Sequence, residues 1–281
     1  MNDVDSSIRC VRRRLQGQET ADGAGVRLTR LIGTAQLPQL DPFLLLDEFR
    51  SDDPNDYLGG FPPHPHRGFE TVTYLLAGRM QHRDNAGHAG ELRAGGVQWM
   101  TAGRGVVHSE MPLQENGLLA GFQLWVNLPA ARKMVPPRYQ EFDAAAIPLE
   151  RRDGGVEVRV IAGDTSLGTR GAVRELITPV RYFDIALTAQ GHFKEPLPAE
   201  HNAFVYLIEG EIAIGGEILV SPSLAILDKG ESLFLEARRP SRLLLGAGEP
   251  LNEPIARRGP FVMNDEAQLR QAFDDYQEGR F

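Results

Sequence analysis

Apolar residues recur at every second position over short stretches through most of the chain, the pattern of strands that bury one face. Residues 70–76 (ETVTYLL) predict a strand rich in branched and aromatic side chains, ended by Ala77-Gly78. Residues 121–127 (GFQLWVN) place Phe122, Leu124 and Val126 on one face and Gln123 and Trp125 on the other. The same alternation predicts strands over 156–161, 182–188, 203–208, 211–214, 224–227, 232–236 and 241–245. Gly215-Gly216 follows one such run and reads as a tight hairpin turn. The period changes only near the C-terminus. There Asn264 or Asp265 can cap a helix whose Leu269, Ala272, Phe273 and Tyr276 share one face, with Gly279 to end it.

A faint repeat turns this series of strands into an architecture. Tyr-Leu-Leu-Ala-Gly at 74–78 returns as Tyr-Leu-Ile-Glu-Gly at 206–210, close to half the chain length later. Two similar β units are therefore expected, over 1–141 and 142–281, joined around Pro136-Pro137 and the turn-rich stretch 142–155. Many short strands in a duplicated unit favour two β-barrels or jelly rolls, which manage their sheet edges without helices. The 281 residues suffice for both, and 30 glycines and 19 prolines fit the frequent turns.

Charge and cysteine usage narrow the class. A formal net charge of −8 repels the phosphate backbone, so direct nucleic-acid binding is not expected. The basic run Arg12-Arg13-Arg14 is too short to reverse this and reads as a solvated strand edge. Cys10 is the single cysteine and can form no intrachain disulfide, which suits a reducing compartment. The N-terminal residues lack the apolar stretch of a secretory signal. Nothing approaches the ~18 consecutive apolar residues of a membrane helix. A cytoplasmic protein without a membrane partner is expected.

The chemistry concentrates in the first half. In GGFPPHPHRGFE (59–70), His64 and His66 are two apart and share a face of an extended chain stiffened by Pro63 and Pro65. In GRGVVHSEMP (103–112), His108 and Glu110 repeat that spacing. Two such pairs in one β-rich unit offer three imidazoles and a carboxylate, a donor set for a divalent transition metal. Glu70 has the same parity as the histidines if the strand runs straight through Arg67-Gly68, so spacing leaves Glu70 and Glu110 unranked. His82 and His88 fall in the turn-rich QHRDNAGHAG and are expected in an exposed loop near the barrel mouth. His192 and His201 lack a His-x-His or His-x-Glu neighbour. Aligning the repeat puts Pro196 and Pro198 where His64 and His66 stand, and 226–232 (ILDKGES) offers no histidine in place of His108. The second unit is expected to lack a metal site.

The segment His64 to Tyr74 (HPHRGFETVTY) resembles the first cupin motif as it occurs in pirins, and 96–112 (GVQWMTAGRGVVHSEMP) resembles the second. LDPFLLLDEF (40–49), QLWVNLP (123–129) and PLNEPIARRGPFVMN (250–264) resemble the same family. The resemblance implies an all-β bicupin: two β-barrel domains packed together with a short C-terminal helix. It implies a mononuclear metal on His64, His66, His108 and Glu110, with Fe(II) foremost and Mn, Ni, Cu or Zn as other divalent ions. It also implies a quercetin 2,3-dioxygenase-like oxidoreductase, in which a flavonol such as quercetin is ring-opened by O2 and Glu110 acts as catalytic base. The alternative is a redox-sensitive regulatory protein, since some pirins partner transcription factors or metabolic enzymes. A deep apolar pocket favours catalysis, and a flat charged face favours the switch. Phe61, Phe69, Met80, Trp99 and Trp125 are candidates for the apolar shell around the metal.

Overall fold

The alternating runs become strands at or near the expected bounds in a computed structural model that describes residues 8–281. Met1 to Ser7, the start of the N-terminus read as leaderless, lie outside the described residues. The stretch 70–76 lies in the strand Phe69–Ala77, 121–127 in Leu119–Asn127, and 203–208 in Asn202–Glu209. Gly215 and Gly216, at φ 56° and 85°, join the strands Glu211–Ile214 and Glu217–Val220 as the expected hairpin. The helix runs Glu266–Gln277, capped by the Asp265 side chain, which accepts from Gln268 N. Leu269 and Ala272 are its buried residues. No helix among the described residues is long and apolar enough to cross a membrane.

Two compact units form, but not as consecutive halves. One comprises residues 18–145 and 251–281; the other comprises 146–250 and the described residues up to Gly17. Against the expected division 1–141 and 142–281, the two chain ends are exchanged. The strand Val11–Leu15 closes the edge of the second unit by pairing with Ser223–Leu227. It carries Arg12, Arg13 and Arg14 outward, as the solvated edge expected of them. The C-terminal ribbon joins the first unit through Phe261, which bridges Arg67.

Each unit is a seven-stranded antiparallel sheet facing a four-stranded one, with the same order of strands. In the first unit the larger sheet runs 138–142, 97–101, 69–77, 119–127, 43–51, 26–32, 18–22, and the smaller runs 61–66, 106–112, 79–84, 89–93. In the second unit the larger runs 11–15, 223–227, 202–209, 241–248, 180–187, 156–162, 149–152, and the smaller runs 192–196, 232–237, 211–214, 217–220. These are the two β-barrels of a bicupin. The second is filled by Val158, Ile185, Phe193, Val205, Ile212, Leu235, Leu243 and their neighbours. Its strand Ser232–Ala237 takes the place of the one bearing His108, and turns Leu233, Leu235 and Ala237 inward.

In the first unit a buried ammonium pins the C-terminal segment. Lys133 Nζ donates to Gly68 O (2.8 Å), Asn127 Oδ1 (2.7 Å) and Val262 O (3.1 Å). Burial pushes this ammonium down to about 8, with only Glu253 opposing. The unfolded chain, near 10.4, therefore holds more protons than the folded one between about pH 8 and 10.4. Stability relative to a Lys133→Met variant should rise with pH across that window, by up to about 3 kcal/mol. Urea unfolding of both proteins at pH 7.5 and pH 10 measures it, and a constant difference would contradict it.

Candidate metal centre

The strand Phe61–His66 pairs antiparallel with Val106–Pro112, and the register sets His108 directly opposite His64. The extended backbone of the proline-rich segment points His64 and His66 the same way. Their ring centroids lie 4.7 Å apart, with His108 at 4.5 Å from His64 and 5.1 Å from His66. One ring nitrogen from each of the three lies within 4.8 Å of the others. Among the described residues this is the one such group of histidine, cysteine and acidic donors.

The protonation of these rings suits a metal. Burial holds the His66 and His108 imidazoles well below their ordinary 6.5, and the neighbouring histidines push the same way. Both stay neutral at pH 7, the form that ligates. His64 Nδ1 lies 2.8 Å from Pro62 O. A carbonyl only accepts, so Nδ1 carries a proton there, and Nε2 is the nitrogen left to face an ion. His66 Nδ1 and both nitrogens of His108 are buried without a hydrogen-bond partner. Unpaired buried nitrogens are costly, and a cation that takes up a lone pair relieves that cost. The three histidines therefore fit a divalent metal.

Glu110 is buried next to this cluster but outside the group of converging donors. A register shift after His108 places it opposite Phe61. Its Oε2 accepts from Gln123 Nε2 at 3.0 Å, and its Oε1 lies 2.7 Å from Thr73 Oγ1. Thr73 and Gln123 belong to a polar row on the facing sheet. Arg30, Asp47, Gln123, Thr73, Gln98 and Glu141 are successive register partners across six strands. Residues paired in register across neighbouring strands point the same way, so these side chains share one face.

Glu70 goes elsewhere. Gly68, at φ 90°, breaks the run, and Glu70 lies in the next strand, accepting from Thr101 Oγ1 at 2.6 Å. Burial raises its carboxyl above the ordinary range. His88 is exposed and paired with Asp84, as a loop histidine should be. His82 is not in a loop. It is buried on the strand Arg79–Asp84 opposite Glu110, with Nε2 at 2.5 Å from Glu141 Oε2 and its ring stacked on Tyr139. The turn is confined to residues 85–88, too short to include it.

His64, His66 and Glu110 line a cavity of about 580 Å³ within the first unit. Leu28, Phe49, Phe61, Met80 and Trp125 supply much of its wall, and Thr73, Gln123 and Arg257 supply polar groups. His66 packs edge-on against Phe69 and Trp125, at 5.1 and 5.2 Å. Of the expected apolar shell, Trp99 alone stands apart from both cavity and histidines, paired with Val72 and Gln140.

Comparison with known proteins agrees with this geometry. The Pirin family model matches residues 25–126, and the Pirin C-terminal cupin domain model matches 182–281. A pirin-like protein of Caulobacter vibrioides is 52% identical over 98% of this chain and 99% of its own. Human pirin is 44% identical over 94% of this chain and 90% of its own. A crystal structure of quercetin 2,3-dioxygenase from Acinetobacter baumannii superposes with a TM-score of 0.90 at 34% identity, covering 98% and 99% of the two chains. With both barrels matched and whole-length relatives well above chance identity, this chain belongs to the pirin family.

Proposed function

We propose that this protein is an Fe(II)-dependent dioxygenase that opens the heterocycle of a flavonol such as quercetin, in the cytoplasm, with O2 as co-substrate. The observation that carries the reading is the meeting of three converging imidazoles with an aromatic-lined cavity of about 580 Å³. That volume is in the range of small-molecule sites. It favours catalysis over a regulatory switch, for which a flat charged face over the metal is expected instead of a recessed cavity. His64, His66 and His108 would hold the ion, with Glu110 as the fourth ligand. When bound, the ion orients the substrate's hydroxyl oxygen and makes its proton more acidic.

The protein's own residues then divide the work. Glu110 receives the flavonol hydroxyl proton on a carboxylate oxygen, since it lines the cavity and is held by Gln123 and Thr73. Phe61, Met80 and Trp125 present apolar surface to flat rings and exclude water. Asp47, gripped by Arg30 at the end of the polar row, stands in register beside Gln123.

Anaerobic loading with Fe(II), followed by quercetin and air, tests the reading. Loss of flavonol absorbance matched by oxygen uptake supports it. One bound iron per chain with neither change would overturn it. Gln123→Ala should lower kcat by roughly 10–100-fold, the usual effect of removing a hydrogen bond to a metal ligand, while the chain still binds one metal. Unchanged kcat would remove Gln123 from the account.

A further inference from the structure

The cavity contains two guanidinium groups, and they are not equivalent. Arg30 is committed: Nε and Nη2 form a fork onto Asp47 at 2.9 and 2.8 Å, and Nη2 also reaches Asp22 at 3.3 Å. Arg257 comes from the short C-terminal strand Ala256–Arg258. Its Nη1 donates to Leu44 O at 3.0 Å, and its Cζ lies 4.8 Å over the Trp125 ring. Among the described residues it forms no ion pair. Both carboxylates beside it are already bound to Arg30.

A guanidinium has five donors in a planar fork matched to a carboxylate or an ionised phenol. With one donor used and no counter-charge of its own, Arg257 is a receptor for an anionic oxygen. Its position sets the rest of the ligand. Cζ is 4.8 Å from the Trp125 centroid, and that centroid is 5.2 Å from His66. The guanidinium therefore lies within about 10 Å of the imidazole. That upper limit leaves room for a flat system of up to two fused rings along Trp125.

We infer that the cavity selects aromatic substrates carrying an ionised oxygen, received by Arg257, at the end of the ring system remote from the three histidines. The inference names a substrate class and rests on reading the cavity as a substrate site, but not on any particular oxidation. A neutral flavonol would be turned over without this contact. Arg257 is thus a specificity residue, outside the metal-binding set.

The test compares 2-naphthoate with 2-naphthamide, which share a shape and differ in charge. Calorimetric titration of the Zn(II)-loaded protein at low ionic strength avoids oxygen chemistry altogether. The acid should bind at least ten-fold tighter than the amide. Arg257→Met should abolish that ratio while leaving amide binding and zinc stoichiometry unchanged. Arg257→Lys should keep part of it, as a point charge without the planar fork. Equal affinity for acid and amide, absence of binding by both, or a preference that survives Arg257→Met overturns the inference. Failure of quercetin turnover leaves these titrations intact, so the two readings fail separately.

Discussion

Replacing His108 with alanine is expected to abolish stoichiometric metal binding while leaving the apo-protein folded. His108 is the ligand to choose because its imidazole has no other use. Both ring nitrogens are buried without a partner, and the ring faces His64 at 4.5 Å and His66 at 5.1 Å. Its removal deletes an unsatisfied polar group, so the apo-protein should melt within a few degrees of wild type. The metal-induced rise should disappear: an ion at a hundred times its Kd adds about 2.7 kcal/mol to the native state. Affinity should fall by well over the roughly 100-fold that marks the upper range for supporting residues. Metal analysis after dialysis, with melting curves of apo and loaded protein, reads both effects. A variant that retains one ion per chain would contradict the account.

The second large effect concerns the fold around the centre. Gly68→Ala should destabilise the protein by more than about 4 kcal/mol, a size reserved for few mechanisms. Gly68 lies two residues beyond His66, the last residue of the strand Phe61–His66. Its N–H donates to Gly103 O at 2.9 Å, its carbonyl accepts from Lys133 Nζ at 2.8 Å, and it sits at φ 90°. A Cβ there would run into the carbonyl oxygen of Val262, which cannot move without breaking its bond to Lys133. Gly87 provides the control. It has nearly the same φ, 91°, with open space where a Cβ would stand. Gly87→Ala should cost only the backbone strain, about 1–2 kcal/mol. Denaturant unfolding of both variants separates clash from strain, and equal losses would contradict the packing described here.

The strands and the three-histidine cluster were legible because they depend on local order. Period-two alternation places side chains on faces whatever the tertiary context, and His64-Pro65-His66 is extended by its own prolines. The repeat at Tyr74 and Tyr206 likewise led to two barrels with the same strand order. The exchanged ends were not legible. The strand 11–15 pairs with 223–227 across most of the chain, and no local signal records such a partner. Glu70 could not be placed from parity, since a single left-handed glycine moves it to another sheet. His82 was hidden by the glycine and asparagine of a turn that begins only after Asp84. The polar row was visible in part: Gln123 was placed opposite Phe122 and Leu124, but not which face was the interior. Thr73 and Asp47, polar residues within runs that also carry buried apolar ones, were the signal that could have marked the cavity wall.

The central claim is a single metal held by three imidazoles, with Glu110 beside it. Metal-edge X-ray absorption of the Fe(II)-loaded wild-type protein tests it most directly. The account expects one iron per chain whose outer-shell scattering requires three imidazole rings, the remaining near scatterers being oxygen. Scattering that fits with one imidazole or none, or that demands sulfur, would contradict it.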